Sequence, residues 1–414
     1  METEATLSPY KVLDLTDEKG LLCGKILADL GAKVIKVEKP GGDPARNKGP
    51  FYHDIPDPEK SLFWFAFNTG KKSITLNIES PDGKELFKRL AKNADFVLES
   101  FPPGYMKELG LDYPSLSQIN PEIIMTSISP FGQTGPFSSF KAPDIVCLAM
   151  GGEMYLCGDP EDAPIQISVP QAYLHAGAEA AVGSLFALWY RERTGEGQHV
   201  DVSVQEAVTW AGFHNQSFWD LNKRNIRREG IRRQFGPSLM RVLFPCKDGH
   251  VAVYIIGGSL GGKGQKAFVE WMDSEGMADD FLRNFDWDSF DAATFSEEIA
   301  LKLEEPFERF YLTKTKQELF DEAVKRRFLL APVNSTKDLM EMEHLKARGF
   351  WVDIEHPELE EVITYPGAPY KSSEPNYEIR GRAPMIGEHN QEIYGKELGI
   401  SPEKLVKLKE LGVI

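Results

Sequence analysis

The chain has 414 residues, 42% of them hydrophobic, which is enough for a large core and more than one domain. Its formal net charge of −16 argues against a nucleic-acid or polyanion surface and leaves room only for a local basic pocket. The start, Met1-Glu2-Thr3-Glu4-Ala5, is acidic, and no apolar run approaches the ~18–20 residues that span a bilayer, so neither signal peptide nor membrane anchor is expected and a cytoplasmic protein is.

The first 130 or so residues alternate strand and helix signals. Lys11-Val12-Leu13-Asp14-Leu15 reads as a buried strand, and Leu22, Ile26, Leu27 and Leu30 then recur at helical spacing before Gly31. Val34-Ile35-Lys36-Val37 is the next strand and ends at Pro40-Gly41-Gly42. A third strand, Ser73 to Leu76, precedes a helix opened by Ser80-Pro81, a favourable cap and first-turn pair, with Leu86, Phe87 and Leu90 as its apolar face. Strands at Phe96 to Leu98 and Ile123 to Ile128 continue the pattern, which predicts a mainly parallel sheet covered on both faces. From Ala178 to Arg193 small and apolar residues predict a long, closely packed helix ending at Thr194-Gly195-Glu196-Gly197. After about residue 230 a strand, Val251 to Ile256, runs into Gly257-Gly258-Ser259-Leu260-Gly261-Gly262, which reads either as a flexible strand-to-helix turn or as a mobile glycine loop. Acidic helical stretches between Glu297 and Arg326 follow, and a last helix is expected over 402–411. Cys23, Cys147, Cys157 and Cys246 form no C-x-x-C pair and read as buried reduced thiols. The histidines show no ligand spacing, so no metal site is expected.

Several short motifs fall in a recognisable order. They are Val12-Leu13-Asp14-Leu15-Thr16, Leu27-Ala28-Asp29-Leu30-Gly31-Ala32, Val34-Ile35-Lys36-Val37-Glu38 and Ser129-Pro130-Phe131-Gly132-Gln133-Thr134-Gly135-Pro136. Thr194-Gly195-Glu196-Gly197-Gln198-His199-Val200-Asp201-Val202, Ala331-Pro332-Val333-Asn334 and Ile386-Gly387-Glu388-His389-Asn390 complete the series. Each is weak alone; together they resemble class III CoA-transferases, the CaiB/BaiF family. The resemblance implies an α/β fold: a Rossmann-like large domain with a mostly parallel sheet, a smaller α+β domain, and two such chains threaded into an interlocked dimer. On this basis the large domain spans 1–205 and 376–414, the small domain 236–345, and linkers 206–235 and 346–375. The implied chemistry is ping-pong: an aspartate attacks an acyl-CoA thioester, passes through a mixed anhydride and an aspartyl-CoA thioester, and hands the CoA to a second carboxylic acid.

Here the chain departs from the family. The family's nucleophilic aspartate lies four residues before the glycine matched by Gly177, and this chain has Tyr173 there. A phenol with a pKa near 10 is mostly protonated at neutral pH, and an aryl ester does not replicate an anhydride. Glu179, six residues on, is a weak substitute expected on a solvated helix face. The family's Asn-Lys-Arg-Ser appears as Thr69-Gly70-Lys71-Lys72-Ser73, its Asn-Phe-Arg-Pro-Gly as Ser100-Phe101-Pro102-Pro103-Gly104, and an arginine of the next turn as Glu108. Each lost arginine removes a bidentate phosphate partner. Lys39, Lys72 and Lys141, with Asp144 at a family acidic position, are the remaining candidates to hold CoA, with surface lysines as the plain alternative. The expected function is therefore that of a non-catalytic subunit, its partner a homologous catalytic class III subunit in a heterodimer or heterotetramer. The pattern most resembles the aspartate-lacking side of the family's heteromeric succinyl-CoA:benzylsuccinate branch, used in anaerobic toluene degradation. A stand-alone diverged transferase or racemase using another residue, and an acyl-CoA-binding regulatory protein, stay open.

Overall fold

The structure, a computed structural model, describes residues 5–235, 238–291, 294–374 and 377–414. Its contacts divide the chain into one unit of Met1–Met154, Gln166–Lys223 and Glu343–Ile414, and a second of Tyr155–Ile165 and Arg224–Met342.

The first unit is built on six parallel strands: β1 (Lys11–Asp14), β2 (Lys33–Glu38), β3 (Lys72–Thr75), β4 (Phe96–Glu99), β5 (Ile124–Ser129) and β6 (His199–Ser203). They lie in the order β3-β2-β1-β4-β5-β6, the doubly wound arrangement with its switch point between β1 and β4. Both faces are covered, which is why these strands read as continuous apolar runs rather than alternating ones. Helices α1 (Leu21–Asp29), α2 (Leu62–Asn68), α3 (Pro81–Ala91), α4 (Tyr105–Leu109), α5 (Tyr113–Ser117), α6 (Asp144–Met150), α7 (Gln171–Thr194), α8 (Val204–Ala211) and α9 (Asn215–Asn222) complete the part up to Lys223. One core joins Val12, Val34, Phe96, Leu98 and Ile128 to α1, α7 and α8; the other joins Leu13, Ile35, Val97 and Met125 to Leu86, Phe87 and Leu90 of α3. Neighbouring residues of one strand go to opposite cores, as the pleat requires. The cap expected at Ser80 is formed, its hydroxyl accepting from Gly83 N at 3.0 Å.

α7 begins seven residues before the expected Ala178. Gly177 sits inside it, and that turn passes so close to α1 that a Cβ there would lie 2.8 Å from Leu22 Cβ. The helix stops at Gly195, in the left-handed region at φ 75°.

The second unit is α+β. Antiparallel pair β7 (Arg232–Phe235) and β8 (Ser238–Arg241) accompanies a sheet of β9 (Leu243–Cys246), β10 (Gly249–Tyr254) and β11 (Leu329–Pro332) in the order β11-β10-β9. With α10 (Gly258–Ser274), α11 (Asp280–Asn284), α12 (Glu297–Tyr311), α13 (Lys316–Arg326) and α14 (Thr336–Glu341) these enclose a core rich in aromatics, including Phe244, Phe268, Trp287 and Phe307. The glycine run does join strand to helix as expected, and most of it is helical. Gly258 to Gly262 form the first turn of α10, and at Gly257 a Cβ would meet the carbonyl oxygen of Phe290 at 2.4 Å. The glycines serve close packing.

The chain then returns to the first unit as α15 (Glu343–Ala347), the hairpin β12 (Trp351–His356) and β13 (Glu361–Pro366), and α16 (Pro402–Glu410). The Ile386-Gly387-Glu388-His389-Asn390 motif docks on β3: His389 N donates to Ser73 O at 2.9 Å and Asn390 Nδ2 to Thr75 Oγ1 at 2.8 Å. Among the described residues no helix is long and apolar enough to cross a membrane.

Candidate functional site

Tyr173 is the third residue of α7 and is buried in the core that α7 shares with α1. Its hydroxyl has one weak partner, Ala142 O, to which it donates at 3.5 Å. Burial first, then the nearby Cys147, Asp17 and Asp144, push the phenol well above its ordinary range. At neutral pH the group is a neutral phenol held by packing.

Asp144, the first residue of α6, stands beside it. The residue before α7 is Pro170, which offers no capping side chain, so the exposed N–H groups of the first turn need an outside acceptor. Asp144 supplies it: Oδ1 accepts from Tyr173 N at 3.2 Å, and the backbone of Ala172 bonds the same carboxylate. Its other oxygen, Oδ2, is buried without a hydrogen-bond partner. Burial raises the Asp144 carboxyl and the two helix N–H bonds work against that rise. Cys147, one turn on in α6, is pushed up to about 12 by burial and by Asp144, so it is no nucleophile either. The cations nearby are engaged. Lys48 pairs with Glu18, Lys19 with Asp17, and His175 lies 3.5 Å from Glu153.

The four expected CoA contacts are not gathered into one site. Lys39 follows the C-terminal end of β2, is exposed, and lies 3.2 Å from Glu79. Lys72 opens β3, at the opposite end of the neighbouring parallel strand, and is paired with Glu392. Lys141 is exposed just before α6. Lys71, in the segment matching Asn-Lys-Arg-Ser, is fully buried: its Nζ reaches Asp14 Oδ2 at 2.9 Å and Leu21 O at 3.0 Å. Glu108 places a negative charge on exposed α4, and Glu179 lies exposed on α7, away from buried Tyr173. Diphosphate binding wants several free donors converging on one spot. These residues fit that requirement poorly. Sequence reasoning did not place Asp17, Lys48 or Cys147 beside Tyr173, from which they lie far in sequence; Cys147 read only as a buried thiol.

Among the described residues no group of three or more histidine, cysteine, aspartate or glutamate side chains is placed to hold a metal. Around Tyr173 stand a neutral phenol, a buried thiol and the Asp144 carboxylate that caps α7.

Comparison with known proteins identifies the family. The model of CoA-transferase family III matches residues 7–390. Subunit BbsE of succinyl-CoA:(R)-benzylsuccinate CoA-transferase from Thauera aromatica is 38% identical over 408 residues, 98% of each chain. Formyl-CoA:oxalate CoA-transferase from Streptomyces coelicolor is 32% identical over 432 aligned residues, the full length of both. A CAIB/BAIF family protein from Brucella suis has a similar solved structure, with a TM-score of 0.82 and 28% identity over 95% of this chain and 100% of that one.

Proposed function

The chain belongs to CoA-transferase family III, and from that membership we propose that it is the non-catalytic subunit of a heteromeric transferase moving CoA between carboxylic acids. In this proposal a paralogous subunit supplies the attacking aspartate, donor and acceptor are succinyl-CoA and benzylsuccinate, and the complex is a cytoplasmic enzyme of anaerobic toluene degradation. The observation that carries it is the buried neutral phenol of Tyr173 at the position where the family motif has its aspartate. The similarity to BbsE supports the choice of acids.

A reason to keep such a chain is visible on its surface. Val182, Phe186, Trp189 and Tyr190 are exposed on one side of α7, at spacings of four, three and one residues. Trp210 and Phe213 of the α8–α9 segment, and Phe218, Trp219 and Leu221 of α9, are exposed too. Apolar groups in this number on one unit call for a partner that covers them. Such a partner can run the chemistry while this chain lends shape.

The test is to express the chain alone and together with a paralogue that carries the aspartate, then measure native mass and CoA transfer. Transfer only by the pair, with a mass containing both chains, supports the proposal; transfer at an enzymatic rate by this chain alone sinks it. One observation favours a second reading, a stand-alone transferase or racemase working through another residue: Asp144 Oδ2 has no partner. Mass spectrometry after incubation with succinyl-CoA separates the two, because an adduct on Asp144, Glu179 or Tyr173 would establish the second. CoA binding without turnover and without partner would instead indicate a regulatory acyl-CoA sensor.

A further inference from the structure

A cavity of about 290 Å³ opens beside the sheet where Glu99 at the end of β4, Met125 and Ser127 of β5 and His199 at the start of β6 lie on neighbouring strands. It does not belong to the Tyr173 cradle. Val97 and Met125 face the α3 core, so Glu99 and Ser127, two residues further along their strands, point to that same side, whereas Tyr173 packs into the α7 core.

Glu99, a charged residue at the end of an apolar strand, is buried in the wall of this cavity. Its Oε2 accepts from Phe101 N at 2.7 Å, and its carboxyl bonds Ser127, whose Oγ lies 2.9 Å from His199 Nε2. The His199 ring stacks on Tyr113 at 5.8 Å and 13°, and Tyr113 OH is already committed to Gly197 O. Asp112 adds a second carboxylate to the lining and Lys107 a single exposed ammonium. Met106 and Met125 supply apolar wall, and Gln133 Nε2 is buried at the rim without a hydrogen-bond partner.

The balance of these groups selects a ligand class. Burial holds the Glu99 carboxyl up at about 7, eased by its bonds to Ser127 and Phe101, with Lys19 and Asp17 as the nearest outside charges. Burial also lowers His199 although Asp201 and Asp112 oppose that, so at neutral pH the imidazole is uncharged. Two carboxyls and two aromatic faces then confront one lysine. That environment repels anions and attracts a cation, which would gain from both charge and ring faces.

We propose that this cavity binds a small organic ammonium ion, seated between Glu99 and Asp112 against the Tyr113–His199 ring pair, with its hydrocarbon part on Met106 and Met125. An oxygen on the ligand would satisfy Gln133 Nε2. The volume suffices, since a dry cavity of about 150 Å³ already takes benzene. Binding is proton-linked. The ammonium favours the ionised carboxyl, so Glu99 releases its proton to solvent on binding. Affinity therefore rises as pH climbs through about 7 and levels off above. Neither the cavity nor its ligand depends on the chain being a non-catalytic subunit.

The experiment is calorimetric titration of the full chain with benzylammonium chloride at pH 6, 7 and 8, beside benzoate and benzyl alcohol. Expected are saturable binding of benzylammonium, roughly tenfold tighter at pH 8 than at pH 6 as one linked proton predicts, and much weaker binding of the anion and the alcohol. Glu99→Gln should weaken it by roughly tenfold and remove the pH dependence. Lys107→Ala, at an exposed position that folding does not need, should tighten it about two- to threefold by removing a like charge. No saturable binding, benzoate binding as tightly as benzylammonium, or an unchanged affinity in both variants overturns the proposal.

Discussion

At the scale of single residues, the site turns on what surrounds position 173. The Tyr173 hydroxyl makes one long hydrogen bond, whereas its ring is enclosed in the α7 core. Packing, not polarity, is therefore what it contributes. Tyr173→Phe is expected to change stability by less than about 1 kcal/mol, the worth of one ordinary hydrogen bond. Tyr173→Ala should cost about 3–5 kcal/mol through the cavity it leaves. Urea denaturation midpoints check both, and neither change should alter transfer by an intact, folded pair of subunits. The same scale limits what sequence can reveal. The motif marks Tyr173 as the position to watch, but it gives no sign that Asp144, a candidate ligand contact, caps α7 in the structure. Lys71 likewise lies in a stretch that looked like a phosphate contact, and it is locked to Asp14.

At the scale of elements, most strands and helices were legible because their signals are local. The six parallel strands occupy apolar runs bounded by breakers, and Ser80-Pro81 marks its helix start as expected. Glycine suggests flexibility from composition, yet at Gly177 and at Gly257 to Gly262 it permits contact between elements distant in sequence. Gly177→Ala measures this directly. Alanine gains about 1 kcal/mol of helix propensity, but the added methyl must push α7 from α1, at an overpacking cost of about 1–3 kcal/mol. A net loss of stability in chemical denaturation is expected; a net gain would mean that α1 and α7 do not pack this closely.

At the scale of the whole molecule, the exposed aromatic groups of α7 to α9 set the expectation for assembly. Phe186 is 70% exposed and Trp189 64%, so neither supports the fold of its own unit. Replacing both by glutamate should leave the denaturation midpoint of the isolated chain nearly unchanged, within about 0.5 kcal/mol as for ordinary surface positions. It should prevent co-purification with an aspartate-bearing partner, which native mass measurement would register. Retention of the complex would move the interface elsewhere.

By itself the sequence determined the α/β class and the family, because periodicity, breakers and motif order are written in neighbouring residues. Only the tertiary structure decided which charges are free and which are spent. Lys72 is answered by Glu392 from the far end of the chain, Tyr173 by Asp144, and Glu99 shares its bonds with Ser127 and Phe101. Burial and charge pairing join groups that are tens to hundreds of residues apart, and no local pattern records which of them will meet.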